Sequence, residues 1–213
     1  MPRNIRDLED SLAFVVGHVQ TAQLDIMDGK FVRGRTWPYF SRDESFEKLL
    51  SEEIGMPFWE KLNYEIDLMV REPETVMGDW IAAGATRIVV HIESTAKLEE
   101  IIKNKSGIEL GFALNIDTST DDILPYLEDI DFVQFMGINK IGFQGEPFDE
   151  RVIDKIHDFH NAHPEVMISV DGGVTLDNAH ELVDVGARRL ISGSAIFESG
   201  NIAGMIARFK GIM

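Results

Sequence analysis

Short apolar runs and amphipathic stretches take turns along this chain. Leu8, Leu12, Val15, Val16 and Val19 follow helical spacing and predict a helix over 5–19. AQLDIM (22–27) reads as a buried strand, and 28–48 as a long loop with an early helical turn. YEIDLMV (64–70) is the next strand; Pro73 opens a helix through Ala83, and Gly84 caps it. The alternation continues with strand TRIVVHI (86–92), a helix over 95–104, strand IELGFAL (108–114) and a short helix over 120–127. Strand DFVQFM (131–136) leads into a loop reaching Phe148, then a helix over 149–162 and strand VMISVD (166–171). A helix over 175–185 capped by Gly186, strand RRLISG (188–193) and a helix over 201–210 complete the pattern.

Strands alternating with helices imply a parallel sheet with helical crossovers, an α/β fold. Seven strands suit an open doubly wound sheet, whereas a closed barrel wants eight. The pattern starts on a helix where a barrel's first strand should already have passed: either the authentic chain starts earlier, or the barrel has an unusual gap. The chain has 213 residues, 44% of them apolar, which suits one globular domain over 1–213, although length alone would allow two small ones.

Composition narrows the partners. No run of eighteen apolar residues occurs, so no membrane span is expected, and MPRNIRDLEDS at the start lacks a signal peptide's apolar segment. Cysteine is absent, which excludes disulfides and thiolate metal sites and agrees with a cytoplasmic setting. A formal net charge of −17 argues against nucleic acid and anionic membrane surfaces. It would also repel a phosphorylated substrate, so backbone N–H groups and helix N-termini would have to hold any phosphate.

Polar residues collect at strand ends, where such folds place their chemistry. Gln23, Asp25 and Asp67 lie within apolar strands, and Asp171 ends one. A charge among apolar neighbours is costly unless it is paired or metal-bound. Gly142, Gly145, Gly172, Gly173 and Gly193, the last followed by Ser194, all come after strands, and their backbone amides could cradle a phosphate. Met27, Met69 and Met136 stand near strand ends, as core residues or as a low-dielectric floor to the mouth. His91 reads as a satisfied structural histidine; His18, His157, His160, His163 and His180 show no ligand spacing.

LDIMDGKFV (24–32), IDLMV (66–70), SVDGGV (169–174) and GSAIF (193–197) together resemble the ribulose-phosphate 3-epimerase family. The resemblance implies a (β/α)8 TIM barrel of the ribulose-phosphate-binding type, with the first strand absent from this chain. It implies an enzyme that inverts carbon 3 of a ketose phosphate, D-ribulose 5-phosphate or a relative. Asp25 and Asp171 match the family's two aspartates, one removing a proton from one face and the other returning it on the opposite face. The family also binds a divalent metal beside the enediolate oxygens. A homodimer is the usual assembly, and TWPYF (36–40) is a candidate contact, a lid, or a segment packed on the barrel.

The chain departs from the family at the metal. Its two ligand histidines match Gln23 and Asp67, so the set becomes Gln23, Asp25, Asp67 and Asp171, all oxygen donors if Gln23 turns its carbonyl inward. Such a set suits Mg²⁺ or Mn²⁺ better than Zn²⁺. Without a cation, three carboxylates would repel one another and raise at least one pKa. The phosphate loop departs too: NKIGFQGEPF (139–148) carries Gln144 for a paired glycine and adds Glu146. Lys30, Arg33, Arg35 or Lys140 could supply compensating charge. Two other functions stay open. One is a lyase or decarboxylase on the same scaffold, although Asp25-Ile-Met-Asp28-Gly-Lys30 lacks those enzymes' Asp-x-Lys-x-x-Asp spacing. The other is a sugar-phosphate binder without turnover.

Overall fold

A computed structural model describes residues 1–41, 44–143 and 145–212. It divides into two compact units, Met1–Leu110 and Gly111–Met213.

The first unit opens with α1 (Ile5–Ala13), whose N-terminus is capped by the Asn4 side chain accepting from the Asp7 N–H. This helix is shorter than the apolar spacing predicts. It ends at Ala13 with Phe14 as its cap; Val16 then pairs with Val19 in an isolated bridge, and Gly17 between them turns the chain at φ +83°. Three parallel strands follow: β1 (Thr21–Met27), β2 (Asn63–Met69) and β3 (Arg87–His91), side by side in that order. Six of the seven β2 residues are buried, as befits a strand covered on both faces. Between β1 and β2 the helical turn comes late rather than early, as α2 (Ser45–Leu50). The early part of that loop is a turn instead, held by the Asp28 side chain, which accepts from the Lys30 and Phe31 N–H groups. Pro73 opens a 3₁₀ turn before α3 (Met77–Ala82).

TWPYF (36–40) is anchored by its tryptophan, which settles that residue in favour of packing. Trp37 is fully buried, donates Nε1–H to Ser45 Oγ at 2.8 Å, and meets Phe46 and Trp80 at ring distances of 5.7 and 5.8 Å. At the amino end of β2, buried Glu65 is neutralised by Arg87, 2.9 Å away, which also reaches Glu109 at 2.7 Å. A carboxylate so deep is tolerable only with such a partner.

α4 (Leu98–Asn104) leads to β4 (Glu109–Leu114), which straddles the boundary between the units. In the second unit β4, β5 (Phe132–Met136), β6 (Ile168–Asp171) and β7 (Arg189–Ile191) are parallel neighbours in chain order. The helix expected over 120–127 is two separate 3₁₀ turns, Thr120–Asp122 and Leu124–Tyr126. Pro125 lacks the N–H that would join them. α5 (Arg151–Ala162), α6 (Leu176–Asp184), the short α7 (Ser194–Phe197) and α8 (Ile202–Lys210) complete the unit. Val152, Ile156 and Phe159 form the buried stripe of α5, spaced by three and four as a helix on a sheet requires. No helix among the described residues is long and apolar enough to cross a membrane.

Candidate active site

In the first unit the parallel register sets Gln23 opposite Glu65, Asp25 opposite Asp67 and Met27 opposite Met69. Side chains alternate along a strand, so Gln23, Asp25 and Met27 share one face of β1, and Asp67 and Met69 one face of β2. Two of the carboxylates expected as metal ligands, Asp25 and Asp67, are therefore neighbours by register. Asp67 is fully buried, as are Met27 and Met69; Asp25 is partly buried.

Burial pushes the Asp25 carboxyl up to about 6 from the usual 3.8, and the neighbouring Asp67 charge pushes the same way. Gln23 opposes this by donating Nε2–H to Asp25 Oδ1 at 3.1 Å. Gln23 thus offers its amide nitrogen to the aspartate. To serve as a metal ligand it would have to present its oxygen instead. His91, at the end of β3, is fully buried, with Nε2 3.2 Å from Asp67 Oδ1.

The backbone around Asp25 is clamped by a residue the sequence did not single out. Thr36 Oγ1 accepts from the Met27 N–H at 2.9 Å and donates to the Asp25 carbonyl at 2.7 Å. The Thr36 N–H adds a bond to the Met27 carbonyl at 3.1 Å. Asp28 staples the next turn: beyond Lys30 and Phe31, its other oxygen accepts from the Arg71 N–H at 3.2 Å, joining the segments after β1 and β2. Nothing local to Thr36 marks it in the sequence; only the antiparallel bridge between Asp28 and Arg35 brings it back alongside β1.

In the second unit Asp171 ends β6, level with Met136 of β5 and Ile191 of β7. Gly172 and Gly173 follow at φ +97° and +67°. A Cβ on Gly173 would lie 2.8 Å from Phe148 Cα, so the missing side chain lets the segment after β5 press against the turn after β6. The Asp171 carbonyl accepts from the Gly137 N–H at 2.7 Å. Ser192 Oγ donates to the Val174 carbonyl at 2.9 Å, tying the end of β7 to the same turn, and Gly193 and Ser194 then open α7. Gly142 and Gly145 take left-handed conformations in the segment after β5, while Gln144 lies outside the described residues. Lys30, Arg33, Arg35 and Lys140 are exposed. A further unforeseen feature is Lys155 of α5. Its ammonium donates to the carbonyls of Asn115, Ile116 and Thr118 at 2.7, 3.2 and 2.6 Å, fixing the segment after β4.

Comparison with known proteins agrees with this layout. 3-Hexulose-6-phosphate synthase from Salmonella typhimurium superposes with a TM-score of 0.71 at 14% identity, covering 100% of this chain and 95% of that one. KGPDC from Streptococcus mutans gives a TM-score of 0.67 at 19% identity, covering 96% and 90%. These likenesses assign the fold to the (β/α)8 class; seven strands occur among the described residues. In sequence, the chain is 34% identical over 195 residues to the chloroplastic ribulose-5-phosphate-3-epimerase of Arabidopsis thaliana, 88% of this chain but 65% of that protein's length. It is 29% identical over 213 residues to ribulose-phosphate 3-epimerase of Aquifex aeolicus, covering 96% and 90%. The match to the family extends over residues 3–197, from the capped start of α1 to the end of α7. With Asp25 and Asp171 both lying inside that span, the chain belongs to the ribulose-phosphate 3-epimerase family.

Proposed function

We propose that this protein is an isomerase that inverts carbon 3 of a ketose phosphate, with D-ribulose 5-phosphate or a close relative as substrate. The carrying observation is Asp25: a partly buried carboxylate beside a second one, its proton affinity raised to about 6, where a general base works well near neutral pH. The relatives named ribulose-phosphate 3-epimerase support the same reaction.

In this reading one (β/α)8 domain spans 1–213. Ionised Asp25 takes the proton from carbon 3, leaving an enediolate. Asp171, protonated, returns a proton to the opposite face. The aspartates have then exchanged protonation states; this form is ready for the opposite epimer, and proton exchange with water after product release restores ionised Asp25 and protonated Asp171 for another turnover in the same direction. Gly172, Gly173, Gly193 and Ser194, with Gly142 and Gly145, offer backbone N–H groups to the phosphate. Met27, Met69 and Met136 keep the reacting centre poor in water.

The residues fit a divalent cation. Burial and the charge of register-paired, fully buried Asp67 raise the proton affinity of Asp25, and a cation beside the two carboxylates would relieve that repulsion. Asp25, Asp67 and Asp171 would hold it, with the Gln23 oxygen on rotation of its amide. Oxygen donors favour Mg²⁺ or Mn²⁺ over Zn²⁺. Such an ion supplies positive charge to the enediolate oxygens. The enzyme acts in the cytoplasm, as a homodimer.

The test is exchange of the carbon-3 hydrogen with solvent deuterium, followed by NMR on pentulose and hexulose phosphates with Mg²⁺, Mn²⁺ or Zn²⁺. Exchange is expected on at least one, and D25N and D171N each abolish it while leaving the folded far-UV spectrum intact. Tight binding of a ketose phosphate without exchange would instead mark a sugar-phosphate binder.

A further inference from the structure

His91 is fully buried at the carboxyl end of β3, and neither the proton transfer nor the cation cradle uses it. Its Nε2 stands 3.2 Å from Asp67 Oδ1. Its Nδ1 faces Glu93, 3.9 Å from Oε2. The Phe31 ring lies 5.5 Å from the imidazole at a 52° tilt, limiting how far the ring can turn. Register pairs Asp67 with Val89, so His91 sits one pleat further along its strand and approaches the carboxylate from beyond it. Asp67 itself is entirely out of water, where a carboxylate needs a partner to stay ionised and to keep one orientation.

We propose that His91 is a positioning residue for the cation: the imidazole engages Oδ1 of Asp67 and leaves the carboxylate's second oxygen for the metal. This rests on the reading of Asp67 as a cation ligand. It accounts for the altered position on β2. There the imidazole that would bind metal directly is replaced by a carboxylate, and an imidazole from the next strand holds that carboxylate in place. Outer partners of this kind fix a ligand's orientation and raise its basicity, and losing one typically weakens metal binding about 10–100-fold. Carboxylate ligands are mobile about their last torsion, so an anchored oxygen matters more for Asp67 than it would for a rigid imidazole.

The experiment is titration of the substrate-free protein with Mn²⁺ alone, free ion being read by electron paramagnetic resonance. H91L, which keeps bulk but loses the ring nitrogens, is expected to bind Mn²⁺ about 10–100-fold more weakly than the parent. H91Q, whose amide can still donate to Asp67, is expected to retain most of the affinity. Far-UV circular dichroism without metal checks that both variants stay folded at the titration temperature. If H91L does not fold, H91N, too short to reach Oδ1, replaces it with the same expectation. Parent-like Mn²⁺ binding by H91L, or equal losses in H91L and H91Q, would overturn the proposal. So would a parent protein that binds no Mn²⁺, which also removes the cradle. Lack of deuterium exchange alongside His91-dependent Mn²⁺ binding would strike the reaction and leave this inference standing.

Discussion

Asp25 is held at a disadvantage in the folded protein. Its proton affinity is raised by burial first and by Asp67 second, so the folded chain takes up this proton more readily than the unfolded one. Below pH 4 both states are protonated and the carboxyl costs nothing. Above about pH 6 the folded state carries a charge it disfavours. In metal-free protein D25N should therefore raise the melting temperature by a few degrees at pH 8, and the gain should fade towards pH 4. Calorimetry at the two pH values checks this, and an equal gain at both would show that the charge is not the cause. Asp25 and Asp67 were legible as unusual because each interrupts an apolar strand. The link from Asp67 to His91 was not, because it joins residues of different strands that only the sheet brings together.

At the level of elements, hydrophobic periodicity marked all seven strands to within a residue or two. It failed where one residue, not apolar spacing, sets the path of the backbone. The turn at Asp28 and the break at Pro125 are such places. The segment after β1 depends on Thr36, whose hydroxyl serves a backbone N–H and a backbone carbonyl at once. Thr36→Val keeps the shape and removes both bonds, stranding two backbone groups beside Asp25. It should cost about 1–3 kcal/mol in urea unfolding. Deuterium exchange should fall as well, because the Asp25 backbone loses its clamp. A variant as stable as the parent would mean that water or another group replaces the hydroxyl.

For the whole molecule, the charge of −17 opposes the approach of a phosphorylated substrate. Raising salt from about 10 mM to about 150 mM shortens the screening length from roughly 30 Å to about 8 Å. On a ketose phosphate kcat/KM should therefore rise over that range, with little change for the unphosphorylated ketose; stopped assays in NaCl check it. A fall on the phosphorylated substrate would show that exposed cations such as Arg33, Arg35 and Lys140 dominate locally. Net charge was readable from composition, and the barrel class followed from the motifs and is shared by the solved structures it resembles. How the backbone serves each loop was not readable, since Lys155 reaches three carbonyls 37–40 residues away in the chain.

The second aspartate of LDIMDG has a different importance from the first. Asp28 makes no contact a reaction needs; its carboxylate is committed to three backbone amides, two in its own segment and one at Arg71. The segments after β1 and β2 are thereby buttoned together at a single point. Anyone wishing to move this protein to another sugar would do well to treat those two segments as one cassette, swapped whole between scaffolds. Replacing either alone would leave the other with an anchor and nothing to fasten.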